Sequence, residues 1–293
     1  PLSIIPNAFQ IMMSMEIYSS IETGFRMIRK VLTMPELVRP SQEVTLSDQC
    51  YRFENVSFSY EKGIEVLHDI NFEVKPNSVF AIVGESGSGK STIAKLMAGF
   101  FDADDGRIYF GGQDVKSIPT SQLMKHVAYV AQDNFLFDTS IRENLKIAKA
   151  DATDEEIQAA LKAANCLELI DRLPEGLNSN AGDCGKFLSG GERQRITLAR
   201  AMLADAQCII LDEATAYADV ENEAKIQEAL SRLMKDKTLI VVAHRLNTIV
   251  GADQIMVLAH GKIESIGTHK ELIQNSSAYQ KLWQSYSGKE VVE

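Results

Sequence analysis

The sequence predicts an α/β fold, a mostly parallel sheet with helices on both faces. Three observations carry that expectation. Short apolar runs recur with helical stretches between them, one run enters a glycine-rich loop that opens a helix, and two segments alternate apolar and polar residues.

Residues 1–34 are apolar at helical spacing, with Ile5, Phe9, Met12, Met13, Ile17, Ile21, Phe25, Ile28 and Leu32 interrupted by Asn7, Gln10, Glu16, Glu22, Arg26 and Lys30. An amphipathic helix, or two, ending near Pro35 is expected. Residues 35–50 read as a polar linker, 51–288 as the globular domain and 289–293 as a tail.

Within the domain, Arg52–Tyr60 and Glu65–Val74 read as half-buried antiparallel strands. Val79–Val83 is apolar throughout, as in a strand covered on both faces. Ser91–Phe101 reads as a helix; Arg107–Phe110 and Val127–Ala131 read as strands. Asp151–Leu173 is helical, with Thr153 as N-cap and Glu156 three residues on. Gly190–Leu203 is a further helix. Cys208–Leu211, Leu239–Ala243 and Ile255–Leu258 are short strands, with a helix over Glu221–Met234 and a last helical stretch over His269–Tyr286.

Composition narrows the function classes. Across 293 residues, 30 Lys and Arg against 40 Asp and Glu give a net charge of −10. A nucleic-acid surface needs a basic patch, so no nucleic-acid partner is expected. Cys50, Cys166, Cys184 and Cys208 are far apart with no C-x-x-C pair, so neither a zinc site nor a disulfide framework is suggested, and a reduced, cytosolic compartment fits. Cys208, in an apolar run, reads as a small buried hydrophobe. No stretch reaches ~18 uninterrupted apolar residues, the length of a complete membrane span. No signal peptide is evident, and a chain opening on Pro1 reads as a piece of a longer polypeptide.

Gly84-Glu85-Ser86-Gly87-Ser88-Gly89-Lys90-Ser91, followed by Thr92, matches the G-x-x-x-x-G-K-S phosphate loop. Its glycines let backbone N–H groups converge on an anion, and the helix that follows turns its positive end the same way. Lys90 is expected to reach the β- and γ-phosphates of ATP, and the Ser91 hydroxyl to bind Mg²⁺. Cys208–Leu211 ends in Asp212 and Glu213. A buried parallel strand would carry Asp212 to its C-terminal edge beside that loop, to hold Mg²⁺ through water, with Glu213 next to polarise the attacking water.

Leu188-Ser189-Gly190-Gly191-Glu192, continued by Arg193-Gln194-Arg195, makes the chain resemble the ATP-binding-cassette (ABC) family over residues 51–288. The likeness is to the nucleotide-binding domain of an exporter-type half-transporter of type IV fold. It implies a P-loop NTPase sheet with an antiparallel β subdomain and an α-helical signature subdomain at about 133–204. It implies an ATPase, with Tyr60 stacked on adenine, Gln132 sensing Mg²⁺ and the membrane partner, His244 on the γ-phosphate and Asp219 signalling between cassettes. In such a family two cassettes, identical or different, meet head to tail. Ser189, Gly190, Gly191 and Glu192 of one then cap the ATP held by Lys90 of the other, from a helix N-terminus.

The resemblance also implies that residues 1–34 are the lower end of the last transmembrane helix, joined to a membrane domain in the same full-length chain; an amphipathic helix packed on the domain is the alternative. The cassette would then sit at the cytoplasmic face of the cell membrane and power transport. Asp138–Leu145 is similar to the exporter form of its stretch, and Phe135-Leu136-Phe137 is a candidate docking surface for a coupling helix. Two departures stand out. Ala216-Tyr217-Ala218-Asp219 replaces the usual Ser-Ala-Leu-Asp, as in some siderophore-handling half-transporters, and Asp183 stands where exporter relatives usually have Glu. A soluble ABC-type ATPase is the second reading, and a basic surface or long coiled coils would favour it. A small-molecule kinase would leave Leu188–Glu192 unexplained.

Overall fold

Period-two alternation in the central strands splits their side chains between two cores. In β3 (Val79–Val83), Phe80 and Ile82 enter one core while Ala81 and Val83 enter another. In β7 (Cys208–Asp212), Cys208 and Ile210 join the first core and Ile209 and Leu211 a further one. A strand with both faces buried has no polar alternation, and these two have none before Asp212. The computed structural model describes residues 4–33, 37–48, 50–61, 63–212, 225–226, 228–229, 237–243 and 246–290, with side chains at all of them other than 4–8, 11 and 287–290. They fall into two units, Pro1–Val38 and Arg39–Glu293.

The first unit is α1 (Ile4–Leu32), a single helix of 29 residues rather than two. Its apolar side chains are exposed, including Phe9, Met15, Tyr18, Phe25 and Val31. No helix among the described residues is long and apolar enough to cross a membrane.

In the second unit a six-stranded sheet runs β10-β9-β3-β8-β7-β6. Its parallel members are β6 (Val127–Val130), β7, β8 (Thr238–Val242), β3 and β9 (Gln254–Ala259), with β10 (Lys262–Gly267) antiparallel at the edge. A four-stranded antiparallel sheet holds β1 (Tyr51–Glu61), β2 (Ile64–Val74), β4 (Asp105–Phe110) and the short β5 (Gln113–Asp114). The α/β expectation holds, with its antiparallel sheet. α2 (Lys90–Met97) lies in the core between the two sheets, where Tyr51, fully buried, donates to the Met97 carbonyl at 2.8 Å. Residues 39–48 have no regular secondary structure. They are tied down by Arg39, which donates to both oxygens of Asp102 at 2.7 and 3.1 Å, and by Val44, whose backbone meets both ends of the Gln122 amide.

The other face of the large sheet carries α4 (Ile141–Lys146), α5 (Asp154–Ala163), α6 (Leu167–Arg172) and α7 (Gly190–Leu203). The expected single helix over Asp151–Leu173 is two, because Asn165 takes a left-handed φ of 54° between them. Its amide is held there by the Lys225 carbonyl and the Glu228 carboxylate. The Thr153–Glu156 capping box is present at the start of α5. The C-terminal helical stretch is likewise two, α8 (His269–Asn275) and α9 (Ser277–Glu290), parted at Ser276. Of the helix expected over Glu221–Met234, residues 225–226 and 228–229 are described, and they are helical. α3 (Thr120–His126), α4 and β10 carried too short a period to be read from the sequence.

Asn144, fully buried in α4, organises the loop ahead of it. It accepts from the Phe137 N–H at 2.9 Å and from Arg200 at 3.0 Å, and donates to the Phe137 and Ser140 carbonyls. Asn144→Ala strands that N–H and part of the guanidinium. It is expected to lower unfolding free energy by about 2–4 kcal/mol, read as a shift of the urea midpoint.

Candidate functional site

β3 ends at a loop whose backbone only glycine can follow. Gly84 has φ 154°, and a Cβ there would stand 2.1 Å from the Leu258 carbonyl oxygen on neighbouring β9. Gly89, at φ 105°, precedes the first helical residue, and a Cβ there would stand 2.7 Å from the Leu67 side chain. The loop is thus wedged between β9 and β2. Lys90 is buried and donates to the carbonyls of Gly84 and Glu85 at 3.0 and 2.8 Å, which folds its ammonium back over the loop. Ser88 is also buried, its hydroxyl without a hydrogen-bond partner among the described residues. A cavity of about 560 Å³ lies against Gly84–Ser88 and the Lys281 side of α9, but neither Lys90 nor Asp212 lines it.

Parallel pairing of β7 with β6 and β8 brings Asp212 to the same end of the sheet as the loop. Asp212 is 4% exposed. Ser91 donates to its Oδ1 at 2.8 Å, across 121 residues of sequence, and Tyr129 of β6 donates to its Oδ2 at 2.7 Å. Burial first, and then the Asp212 carboxylate, push the Tyr129 phenol above its usual pKa, so it remains a donor. A hydroxyl and a carboxylate side by side at a helix start form a hard-oxygen set, the type that suits Mg²⁺.

Tyr60, at the end of β1, shares a hydrogen bond with the Thr92 hydroxyl at 3.2 Å. Its ring is half exposed and held edge-on by Phe58 and Phe101, with centroids 4.9 and 5.3 Å away. Gln132 is exposed on the turn after β6, where Asn134 donates to its carbonyl. Leu136 of the expected apolar patch is fully buried, so only Phe135 and Phe137 present rings to solvent, edge to face at 5.0 Å.

Ser189 and Glu192 form a capping box at the start of α7. The Glu192 N–H donates to the Ser189 hydroxyl at 3.3 Å, and the Ser189 N–H to the Glu192 carboxylate at 2.8 Å. Arg172 of α6 donates to the other Glu192 oxygen at 2.5 Å. Burial acts to raise the Glu192 pKa, but the Ser189 N–H and Arg172 bring it below the usual carboxylate range. The stability this adds is present at neutral pH and lost as pH falls through the lowered value. Among the described residues, no hydrogen bond joins Ser189, Gly190, Gly191 or Glu192 to residues 84–92.

The structure therefore brings together Gly84–Thr92, Tyr60 and Asp212, and places Ser189–Glu192 on a separate helix start. Glu213, His244 and Asp219 lie outside the described residues. Tyr129 and Arg172 were not legible as site residues. A tyrosine inside a strand reads as core, and only the pairing of β6 with β7 reveals what its hydroxyl meets. Gly84→Ala is expected to cost about 2–4 kcal/mol, because its methyl group meets backbone rather than a side chain that can move; the thermal midpoint of the variant without nucleotide measures it.

Residues 67–216 match the family described as ABC transporter. The chain is 47% identical over 233 residues to the mycobactin import ATP-binding/permease protein IrtA of Mycolicibacterium smegmatis, covering 80% of this chain and 27% of that protein. It is 48% identical over 232 residues to the putative multidrug export ATP-binding/permease protein YgaD of Bacillus subtilis, covering 79% and 40%. It is 40% identical over 275 residues to the ATP-dependent lipid A-core flippase of Desulfotalea psychrophila, covering 92% and 48%. The chain thus spans half or less of these relatives. A solved bacterial Atm1-family ABC exporter with ATP bound superposes with a TM-score of 0.83 at 34% identity, over 92% of this chain and 47% of that one. The phosphate loop against a buried acid, the capped signature helix and these likenesses agree: the chain belongs to the ABC transporter family, whose members bind ATP.

Proposed function

We propose that this chain is the nucleotide-binding cassette of an exporter-type half-transporter, an ATPase that powers transport by ATP-driven head-to-tail pairing. The observation that carries the reading is the Ser91–Asp212 contact at 2.8 Å, which makes one site of two motifs far apart in the chain. In this reading Tyr60 stacks on adenine, and its contact with Thr92 holds the ring beside the helix start. The N–H groups of 87–91 and the Lys90 ammonium bind and orient the phosphates. Ser91 and Asp212 would hold Mg²⁺, with Gln132, on the turn after β6, as its sensor. Mg²⁺, when bound, neutralises charge shared by the β- and γ-phosphates. Glu213 orients the attacking water and takes its proton on the carboxylate. His244 donates to the γ-phosphate.

Ser189, Gly190, Gly191 and Glu192 serve a second cassette in this reading. With the Ser189 hydroxyl capping α7, the free N–H groups of the first turn and the positive helix end face outward to a partner's triphosphate. ATP then joins the pair, and its hydrolysis separates it. The relatives named as fused ATP-binding/permease proteins support a membrane domain in the same polypeptide. A match over 92% of the chain cannot be contained in residues 39–293, so it extends toward α1. That helix, with apolar side chains exposed around it, is read as the lower end of the last membrane helix, and the cassette as sitting at the cytoplasmic membrane face. The relatives' names include both import and export, so cargo and direction belong to the membrane helices rather than to this site.

Glu213→Gln is expected to bind ATP as wild type does but hydrolyse it roughly 10²–10⁴-fold more slowly, the range for loss of a general base; unchanged turnover removes Glu213 from that role. With turnover blocked in this way, saturating ATP and Mg²⁺ should convert the chain to a dimer by sedimentation velocity. Ser189→Arg, which fills the facing surface, should keep ATP binding and abolish the dimer. A monomer at all ATP concentrations contradicts the shared-site reading.

A further inference from the structure

We infer that Tyr129 is a positioning residue: its hydroxyl holds the Asp212 carboxylate in the orientation that serves the metal, and so ties metal affinity to the strand that leads into Gln132. The inference deepens the proposed function and rests on its assignment of Asp212.

Asp212 has two oxygens and meets a different donor at each. Ser91, from the start of α2, takes Oδ1 at 2.8 Å; Tyr129, from β6, takes Oδ2 at 2.7 Å. Two donors on opposite oxygens fix the plane of a carboxylate, whereas one donor leaves it free to turn about its last torsion. At 4% exposure the carboxylate has little water to replace a lost partner.

The hydroxyl is not required to build the strand. β6 is already paired with β7 along its length, Tyr129 opposite Ile210 and Val130 opposite Leu211. The ring has its own packing, edge-on to Phe100 with centroids 5.0 Å apart. What the oxygen adds is therefore directional. It is also a donor of the right kind, because an ionised carboxylate can only accept and the phenolic O–H meets it at 2.7 Å. Gln132 follows Tyr129 by three residues, on the turn just past the end of the same strand. The Tyr129 hydroxyl is thus a side-chain link between the strand that leads to Gln132 and the acid that faces Ser91, beside the backbone pairing of β6 with β7.

The test is a titration of Mn²⁺ by electron paramagnetic resonance, in this chain at saturating ATP. Tyr129→Phe is expected to weaken Mn²⁺ about tenfold, as for loss of a hydrogen bond to a charged group. ATP affinity in EDTA should stay within twofold of wild type, and the Mg²⁺ needed for half-maximal turnover should rise more than kcat at saturating Mg²⁺ falls. In an Asp212→Asn background the same change should add less than twofold. Tyr129→Leu reads the same loss should the Phe variant fail to fold. Mn²⁺ affinity within twofold of wild type in a folded variant overturns the inference, as does a loss that persists undiminished in the Asp212→Asn background. Wild-type chain that takes up ATP but no Mn²⁺ overturns both the inference and the assignment of Asp212.

Discussion

A buried carboxylate must be satisfied on both oxygens or it costs several kcal/mol. Asp212 meets that demand with hydroxyls from two separate elements, Ser91 at the start of α2 and Tyr129 on β6. Much else follows from this constraint. β3 and β7 must end at the same level, which parallel pairing through β8 achieves. The loop between β3 and α2 must turn sharply enough to point Ser91 back at the sheet. Gly84 makes that turn where the Leu258 carbonyl leaves no room for a Cβ.

The signature segment solves a different problem with residues that also have local work. Ser189 and Glu192 close a capping box, and Arg172 anchors Glu192 from a neighbouring helix. Each of these contacts is satisfied within the chain. What remains toward solvent is the helix end itself, with Ser189 exposed and the dipole behind it. A capped helix start is therefore compatible with a role toward a second molecule, since capping secures the shape of the turn without consuming all its donors.

The loop after β6 connects the two. Asn144 and Arg200 hold the carbonyls of Phe135 and Phe137 against α4 and α7, leaving two aromatic rings exposed and Leu136 inside. Read as a run, Phe-Leu-Phe is uniformly apolar; only packing separates the inward side chain from the outward two. The same holds at Asn165 and Ser276, where helices that read as continuous divide. Asn165 is held there by bonds to Lys225 and Glu228, and Ser276 by its contact with the Ser265 hydroxyl and its cap on the Tyr279 N–H, none of which helix periodicity anticipates.

By itself the sequence determined the α/β class, the phosphate loop, the acid at the end of an apolar run, the capping box built on Thr153, and the family resemblance. These are local signals: a spacing, a turn residue or a run of apolar side chains is sufficient to specify each. Tertiary structure alone decided which groups meet across the chain. Tyr129 at Asp212, Tyr60 at Thr92 and Arg172 at Glu192 are contacts between elements whose separation in sequence carries no information about their distance in space. Strand order and register, set by burying both faces of the sheet at once, bring them together.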